Sequence, residues 1–489
     1  MKKRRYSNFQ IAVIIFAVFM LFGLRFLTPP AGMTQSGLQV AGILIGGLAM
    51  WLFVSVDWSS LMVLFALMLV PGLTPAGVIA GSMGNNTAFY LMLCFMLSAS
   101  LQKTGVAHRL AVWFMTSKLS RKGPWYTVGM IFASIFILSS GLSSTATLMV
   151  FLPILTEIFE TLGYRKEDGA KFPGIMLTSL VVVAQLAQSS TPISHAMTLI
   201  GMSSYTSYTG DQIGFAQYVG TCIPIALLAL VLWFVLCRFV FKADVSRLTQ
   251  LDFDGIQARL EPLSKREIVA AAIYIVCIIF WILPGIASYI FPESVASVLS
   301  GINQVYPPII GILVMHFLKI DGEPVIDYKD SLKAVPWSTY IFMGTILYLS
   351  STLSNGDIGL TAWLSEAMLP VFQNISPFVF ILLMVAIPAV LTNFISNSVT
   401  IAITFAVAMP MLSSIYSGQI NPQLIAILIT VAANFSFATP TATPPVAVAL
   451  DTGWINTKSL FVWGMSIAIV CMILAIIVGV PLGSALVAG

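Results

Sequence analysis

Nine residues, "TNFISNSVT" (392–400), carry Thr392, Asn393, Ser396, Asn397, Ser398 and Thr400, and no Asp, Glu, Lys or Arg occurs from Pro377 to Leu450. A second polar cluster, "SSGLSST" (139–145), interrupts another apolar run. Hydroxyls, amides and free backbone N–H groups can hold an anion without a fixed positive charge. Carbonyl and hydroxyl oxygens suit a small cation. Both polarities arise where a helix breaks: its exposed N–H groups carry partial positive charge and its exposed carbonyls partial negative charge. In a membrane such breaks are tolerated only where they are buried in protein or line a cavity. The simpler alternative is Ser and Thr bonded back to their own helices or joining one helix to the next.

The elements that must position these clusters are membrane helices. Of 489 residues, 58% are hydrophobic and 9% charged, against about 25% charged in soluble domains. The mean hydropathy is +0.96. Apolar runs near 10–28, 38–57, 126–142, 174–190, 215–241, 267–284, 303–318, 378–391, 423–437 and 461–485 compare with the roughly 20 residues that cross a bilayer. They predict an all-α polytopic protein of about eleven transmembrane helices with re-entrant segments. The first run reads as an uncleaved helix because no small-residue cleavage site and soluble domain follow it. Cys94, Cys222, Cys237, Cys277 and Cys471 lie inside apolar runs without CxxC spacing, as small core residues. Trp51, Trp58, Trp125, Trp337 and Trp454 fall near span ends as interfacial anchors. The net charge of +4 comes from loop residues and implies no nucleic-acid partner.

The positive-inside bias puts "KKRR" near the start and the charged 242–267 segment in the cytoplasm of a cell-membrane protein. Lys118, Arg121 and Lys122 precede one broken span, and Arg165, Lys166 and Lys171 follow it. If that span crosses fully, one of these basic clusters lies outside.

Two stretches share a plan. "LSASLQKTGVAHRLAVWF" (97–114), "SSGLSSTATLMVFLP" (139–153) and "QSSTPISHAM" (188–197) are matched by "LYLSSTLSNGDIGLTAWL" (347–364), "LTNFISNSVTIAITFAVAMP" (391–410) and "SFATPTATPP" (436–445). Gly105 to Ser143 is 38 residues and Gly359 to Ser396 is 37; Ser143 to Thr191 is 48 and Ser396 to Thr439 is 43. Paired repeats with interrupted helices commonly enclose a midplane transport site. The expected division is scaffold helices over 1–73, a first repeat over 74–241, a cytoplasmic linker over 242–267, scaffold helices over 268–335 and a second repeat over 336–489. The breaks are expected in discontinuous helices at 143–145 and 396–398, with returns at 190–197 and 438–446.

On these motifs the chain resembles the divalent anion/sodium symporter family of dicarboxylate and citrate carriers. The resemblance covers nearly the whole length: the hairpin pattern ending "LQKTGVAHRLA", the paired Ser-Asn-Thr motifs and the Thr-Pro returns. It implies a dimerising scaffold and, in two inverted repeats, two re-entrant hairpins and two discontinuous helices that move together as an elevator. The motif residues fall on Ser143, Ser144 and Thr145 and on Ser396, Asn397 and Ser398, as contacts for substrate carboxylates and sodium. Thr443, Pro444 and Pro445 match the second return. Ser139 and Thr392 match upstream sodium-holding positions, joined by the carbonyl of Ala442. The chain departs from the family at Ser144, which replaces Asn, at Ser398, which replaces Thr, at Val446, which replaces Asn, and over the first Gly-Thr-Pro-Pro, which reads Ser194, His195, Ala196, Met197.

The expected function is therefore secondary transport of di- or tricarboxylates, without enzymatic activity. The matched motifs contain no Lys or Arg, and an anion held by neutral donors is easier to release than one held by an arginine fork. The uncharged stretches offer one histidine, too little for intramembrane acid–base or metal chemistry. A channel remains a distant alternative, and no GxxxxGK[ST] segment supports an ATP-driven pump. His195 is read either as a neutral packing residue or as charge compensation, or a proton carrier, at the first half-site. With Ser144 and His195 weakening the first sodium site, sodium-independent exchange is favoured over sodium- or proton-coupled symport. Sodium stays a candidate coupling ion, no other cofactor is expected, and a homodimer in the lipid bilayer is implied.

Overall fold

The computed structural model describes residues 6–193, 195–440 and 442–487. Its helices are α1 (Asn8–Val18, prolonged by tighter and wider turns to Phe26), α2 (Gln35–Phe53), α3 (Asp57–Met68), α4 (Pro75–Ser82), α5 (Asn86–Lys103), α6 (Val106–Met115), α7 (Pro124–Ser139), α8 (Ser144–Thr161), α9 (Lys171–Ser190), α10 (Ala196–Thr209), α11 (Phe215–Val235) and α12 (Phe253–Ala258). Then follow α13 (Lys265–Ile290), α14 (Glu293–Ser300), α15 (Tyr306–Phe317), α16 (Tyr328–Lys333), α17 (Trp337–Ser354), α18 (Leu360–Phe372), α19 (Pro377–Leu391), α20 (Asn397–Ser414), α21 (Pro422–Ala432), α22 (Pro444–Asp451), α23 (Thr457–Leu474) and α24 (Val480–Val487). A two-stranded antiparallel ribbon, β1 (Lys319–Ile320) and β2 (Glu323–Pro324), joins α15 to α16. Among the described residues, eight helices are long and apolar enough to cross a membrane, or up to ten if each of two bent pairs is one span.

Local chemistry sets these boundaries. Ser143 caps α8, its hydroxyl accepting from Ala146 N, and Ser264 with Glu267 forms a capping box at the start of α13. Prolines at the first turn open α7, α19, α21 and α22, where a missing N–H costs nothing. Gly105 (φ 90°) and Gly359 (φ 71°) hold left-handed turns ahead of α6 and α18, a conformation that side chains resist. These are the two glycines that anchor the sequence repeat.

The structure exchanges the expected roles of hairpin and broken helix. Arg121, just before α7, pairs with Asp254 at 2.7 Å, while Glu157, near the end of α8, pairs with Arg259. Arg247 also donates to the carbonyls of Leu162 and Gly163 at 3.3 and 3.2 Å. Both outer ends of α7 and α8 therefore lie against the 242–264 linker. The pair enters and returns on one face of the molecule, so 143–145 is the tip of a re-entrant hairpin. Nor does the predicted hairpin pattern ending at 101–111 double back: α5 and α6 are joined at a 60° bend. The basic clusters at 118–122 and 165–171 consequently share the linker face.

The second repeat does the same from the opposite face. The Tyr416 hydroxyl, just beyond α20, donates to the carbonyls of Phe372 and Ile375 at 3.2 and 3.0 Å, and its ring lies 4.4 Å from that of Phe380 at the start of α19. Asn421 donates to Val487 O and Gln423 to Gln217, far from the linker. The discontinuous helices are instead α9/α10, broken at 191–195, and α21/α22, broken at 433–443. Helix α8 runs antiparallel to α9, with Phe159 against Phe172 at one end (ring centroids 5.9 Å apart) and Gln188 donating to Leu142 O at the other (3.1 Å). Two inverted repeats thus bring two hairpin tips and two helix breaks to the same depth.

Candidate functional site

Four helices begin at that depth: α8 and α20 after the hairpin tips, α10 and α22 after the breaks. Their first residues line one cavity of about 600 Å³. Ser143, Ser144, Thr145 and Ala146 come from the first tip, His195, Ala196 and Met197 from the first break, Ser396 and Asn397 from the second tip, and Ala442, Thr443, Pro444 and Pro445 from the second break. The remaining wall includes Gln185 and Gln188 of α9, Ser98, Gln102 and Lys103 of α5, and Pro336 and Thr339 at the start of α17. The lining includes no Asp or Glu. The cavity opens toward the linker face, where Lys103 meets Asp330.

The second tip is organised by Asn393, which is fully buried. Its amide nitrogen donates to Ala389 O and Phe435 O at 2.9 and 2.8 Å, and its oxygen accepts from Phe437 N and Ala438 N at 2.9 and 3.1 Å. Asn397 is similarly tied: Thr392 Oγ1 donates to its oxygen at 2.9 Å, and its nitrogen donates to Ser436 Oγ at 3.0 Å. Gln185 reaches the same Ser436 hydroxyl from the first repeat (3.1 Å). The N-terminus of α20 has no side-chain cap, so its leading N–H groups remain available at the cavity.

The first tip is tied both to its own repeat and to α13 of the second half. Ser98 of α5 donates to Gly141 O at 3.1 Å, and the Tyr274 hydroxyl of α13 donates to the same oxygen. Thr191 donates to Ser140 O at 2.9 Å. His195 caps nothing; its Nδ1 lies 3.4 Å from Thr198 Oγ1.

Not every expected site residue reaches the cavity. Ser398 is buried behind Met197 of the lining, its hydroxyl donating to Met197 Sδ at 2.8 Å. Ser139 and Thr392 are buried behind the tips, and Ser194 lies outside the described residues. Gln185, Gln188, Asn434 and Ser436 were missed; buried carboxamides three residues apart in an apolar span (185 and 188) were the available signal. The residues fit a sodium ion chemically, since such an ion takes neutral oxygens. Ser139 Oγ and Thr443 Oγ1 are buried with no hydrogen-bond partner among the described residues. At the second tip, Thr392 Oγ1 lies within hydrogen-bonding distance of both Asn397 Oδ1 and Ala433 O, three neutral oxygens in one neighbourhood.

Known proteins agree with this architecture. The model of the sodium:sulfate symporter transmembrane region matches residues 8–488. The chain belongs to that family. It is a multi-pass membrane transporter and not an enzyme, and the resemblance read from the motifs holds. Among relatives of the family member described here, the sodium-dependent dicarboxylate transporter SdcS of Staphylococcus saprophyticus is 25% identical, covering 98% of this chain and 93% of its own. The Staphylococcus aureus (strain MRSA252) SdcS is 24% identical, over 98% and 92%. An uncharacterized transporter of Methanocaldococcus jannaschii is 26% identical over 73% of this chain and 74% of its own. The crystal structure of the Alcanivorax borkumensis YdaH transporter shares the fold, with a TM-score of 0.57 over 99% of both chains at 14% identity.

Proposed function

We propose that this chain carries di- or tricarboxylates across the cell membrane by sodium-coupled symport. The observation that carries the reading is the convergence of four helix N-termini on one acid-free cavity. A bound carboxylate must be compensated in a low-dielectric interior. Here backbone N–H groups of α8, α10 and α20, the helix dipoles, and the hydroxyls of Ser143, Ser144, Thr145, Ser396 and Thr443 supply that compensation. Helix α22 contributes mainly its dipole, because Pro444 and Pro445 have no N–H.

Sodium coupling replaces exchange as the favoured reading. The names of the staphylococcal relatives support it, as does the oxygen cluster of Thr392, Asn397 and the Ala433 carbonyl. The carbonyl of Ala442 belongs with that second ion position, and Ser139, with Ser143 and Ser144, is the candidate for a weaker first one. Exchange keeps one supporting observation: His195 stands in the first half-site. Transport by elevator motion is part of the proposal, with the hairpins and broken helices moving against α5, α13 and α17. So are a homodimer and a cytoplasmic linker face, where Lys118, Arg121, Lys122, Arg165, Lys166 and Lys171 collect with the N-terminus.

Purified protein in proteoliposomes should take up labelled succinate, malate, citrate or 2-oxoglutarate when sodium is outside, without carboxylate inside. Uptake that instead needs internal carboxylate, ignores replacement of sodium by choline and fails in His195→Thr would establish exchange. No uptake of any of the four would refute carboxylate transport.

A further inference from the structure

The mouth of the cavity holds one fixed charge, and its bonding differs from that of an ordinary ion pair. Lys103, the last residue of α5, lines the cavity. Its ammonium lies 2.8 Å from Asp330 Oδ2. Asp330 sits outside the lining and has a second cation, Lys333, at 3.2 Å from its other oxygen. Two ammonium groups thus share one carboxylate, and together they hold it below the usual carboxylate range. If Lys103 turned away, Asp330 would remain paired with Lys333. The local charge is +1, and that surplus faces a passage otherwise lined by neutral groups and His195.

We propose that Lys103 is a specificity-determining residue at the mouth, which exchanges Asp330 for a carboxylate of the substrate as the anion enters or leaves by the linker face. This rests on the carboxylate reading of the cavity. Because both side chains are nearly half exposed, the exchange is cheap in either direction. A charge at the rim of a site acts chiefly on encounter and is screened by salt. Lys103 ends α5 and belongs to none of the helices that begin at the site, so it attracts the anion without holding it at the four N-termini. It favours multiply charged carboxylates over singly charged ones.

A purely structural pair and a mouth cation predict different results. If Lys103 and Asp330 only brace α5 against α16, removing either side harms the protein equally. If Asp330 competes with the substrate for Lys103, the two removals have opposite signs. Labelled succinate binding to the purified full-length protein, in detergent with sodium, is measured at low and high ionic strength. For exposed charges the expected changes are roughly two- to fivefold. Lys103→Gln should weaken binding and flatten its salt dependence, Asp330→Asn should tighten it, and Lys103→Arg should resemble the wild type. Changes of the same sign, or none, overturn the inference while wild-type binding keeps the carboxylate reading intact. A wild type that binds none of succinate, malate, citrate or 2-oxoglutarate overturns both. Melting temperatures identify a variant that fails to fold, and Lys103→Arg and Asp330→Asn then decide the matter: Arg weaker than the wild type, or Asn not tighter, overturns it.

Discussion

The two hairpin tips occupy equivalent places in the inverted repeats but are secured in different ways. The second tip is held by its own repeat, through Asn393 and Asn397 reaching the 433–439 break. The first is tied to its own break as well, through Gln188 and Thr191 on the Leu142 and Ser140 carbonyls, and in addition to α5 and α13, through Ser98 and Tyr274 on the Gly141 carbonyl. Its helix is also capped by Ser143, whereas α20 is left uncapped. The comparison suggests a division of labour. The second half is a prebuilt binding surface, and the first is a latch between moving and fixed parts. Ion pairing follows the same asymmetry: the six pairs among the described residues all lie on the linker face, around the first hairpin, its arm and the neighbouring scaffold.

The severest way to break the contrast is Asn393→Ala. It strands four buried backbone groups, each worth about 1–3 kcal/mol when left unpaired. Carboxylate uptake should vanish and the melting temperature of the purified protein should fall sharply. Asn397→Ala comes next. Thr392 still has the Ala433 carbonyl, so the cost is about 1–3 kcal/mol, yet substrate binding by isothermal titration should be lost. Folded, stable Asn397→Ala with ordinary uptake would remove the second tip from the site.

Tyr274→Phe tests the latch. Ser98 still satisfies Gly141 O, so the stability change should be about 1 kcal/mol. On the proposed elevator motion this contact breaks in every cycle and so affects rate: the maximal uptake velocity should change while the half-saturating succinate concentration does not. Gly141→Ala is the stronger form: a Cβ there would stand 2.7 Å from the Tyr274 hydroxyl oxygen.

The smallest expected effect is at the arm. Arg109 grips Glu267 through Nε (2.7 Å) and Nη2 (3.1 Å). Glu267 also accepts from Ser264 N at 2.7 Å, a bond that Glu267→Gln can keep while it removes the charge facing Arg109. The melting temperature of Glu267→Gln at neutral pH should therefore fall only modestly, by the equivalent of at most about 1 kcal/mol, and carboxylate uptake should be unchanged.

How much of this was legible in the sequence depends on which property is considered. The inverted repeat was legible because Gly105 and Gly359 need left-handed backbone and the polar clusters recur at matched spacing. The cavity residues were legible for the same reason. What failed was direction: four polar residues between apolar runs look alike whether the chain turns back or continues. Only Arg121 and Glu157 meeting one linker distinguishes them. Ser398 was misplaced because a motif fixes a helix start and leaves the facing of its third residue open. Gln185 and Gln188 escaped notice because single carboxamides in a span commonly serve only to join helices.

The central claim is that the two tips form one carboxylate site whose occupation depends on sodium. The five native cysteines are all buried, so Ser396→Cys would introduce a thiol at the cavity wall with little background. Its alkylation rate by a water-soluble maleimide is the direct test. Succinate should slow labelling in sodium and have no effect in choline. Equal labelling with and without carboxylate, in a variant that still transports, would contradict the account.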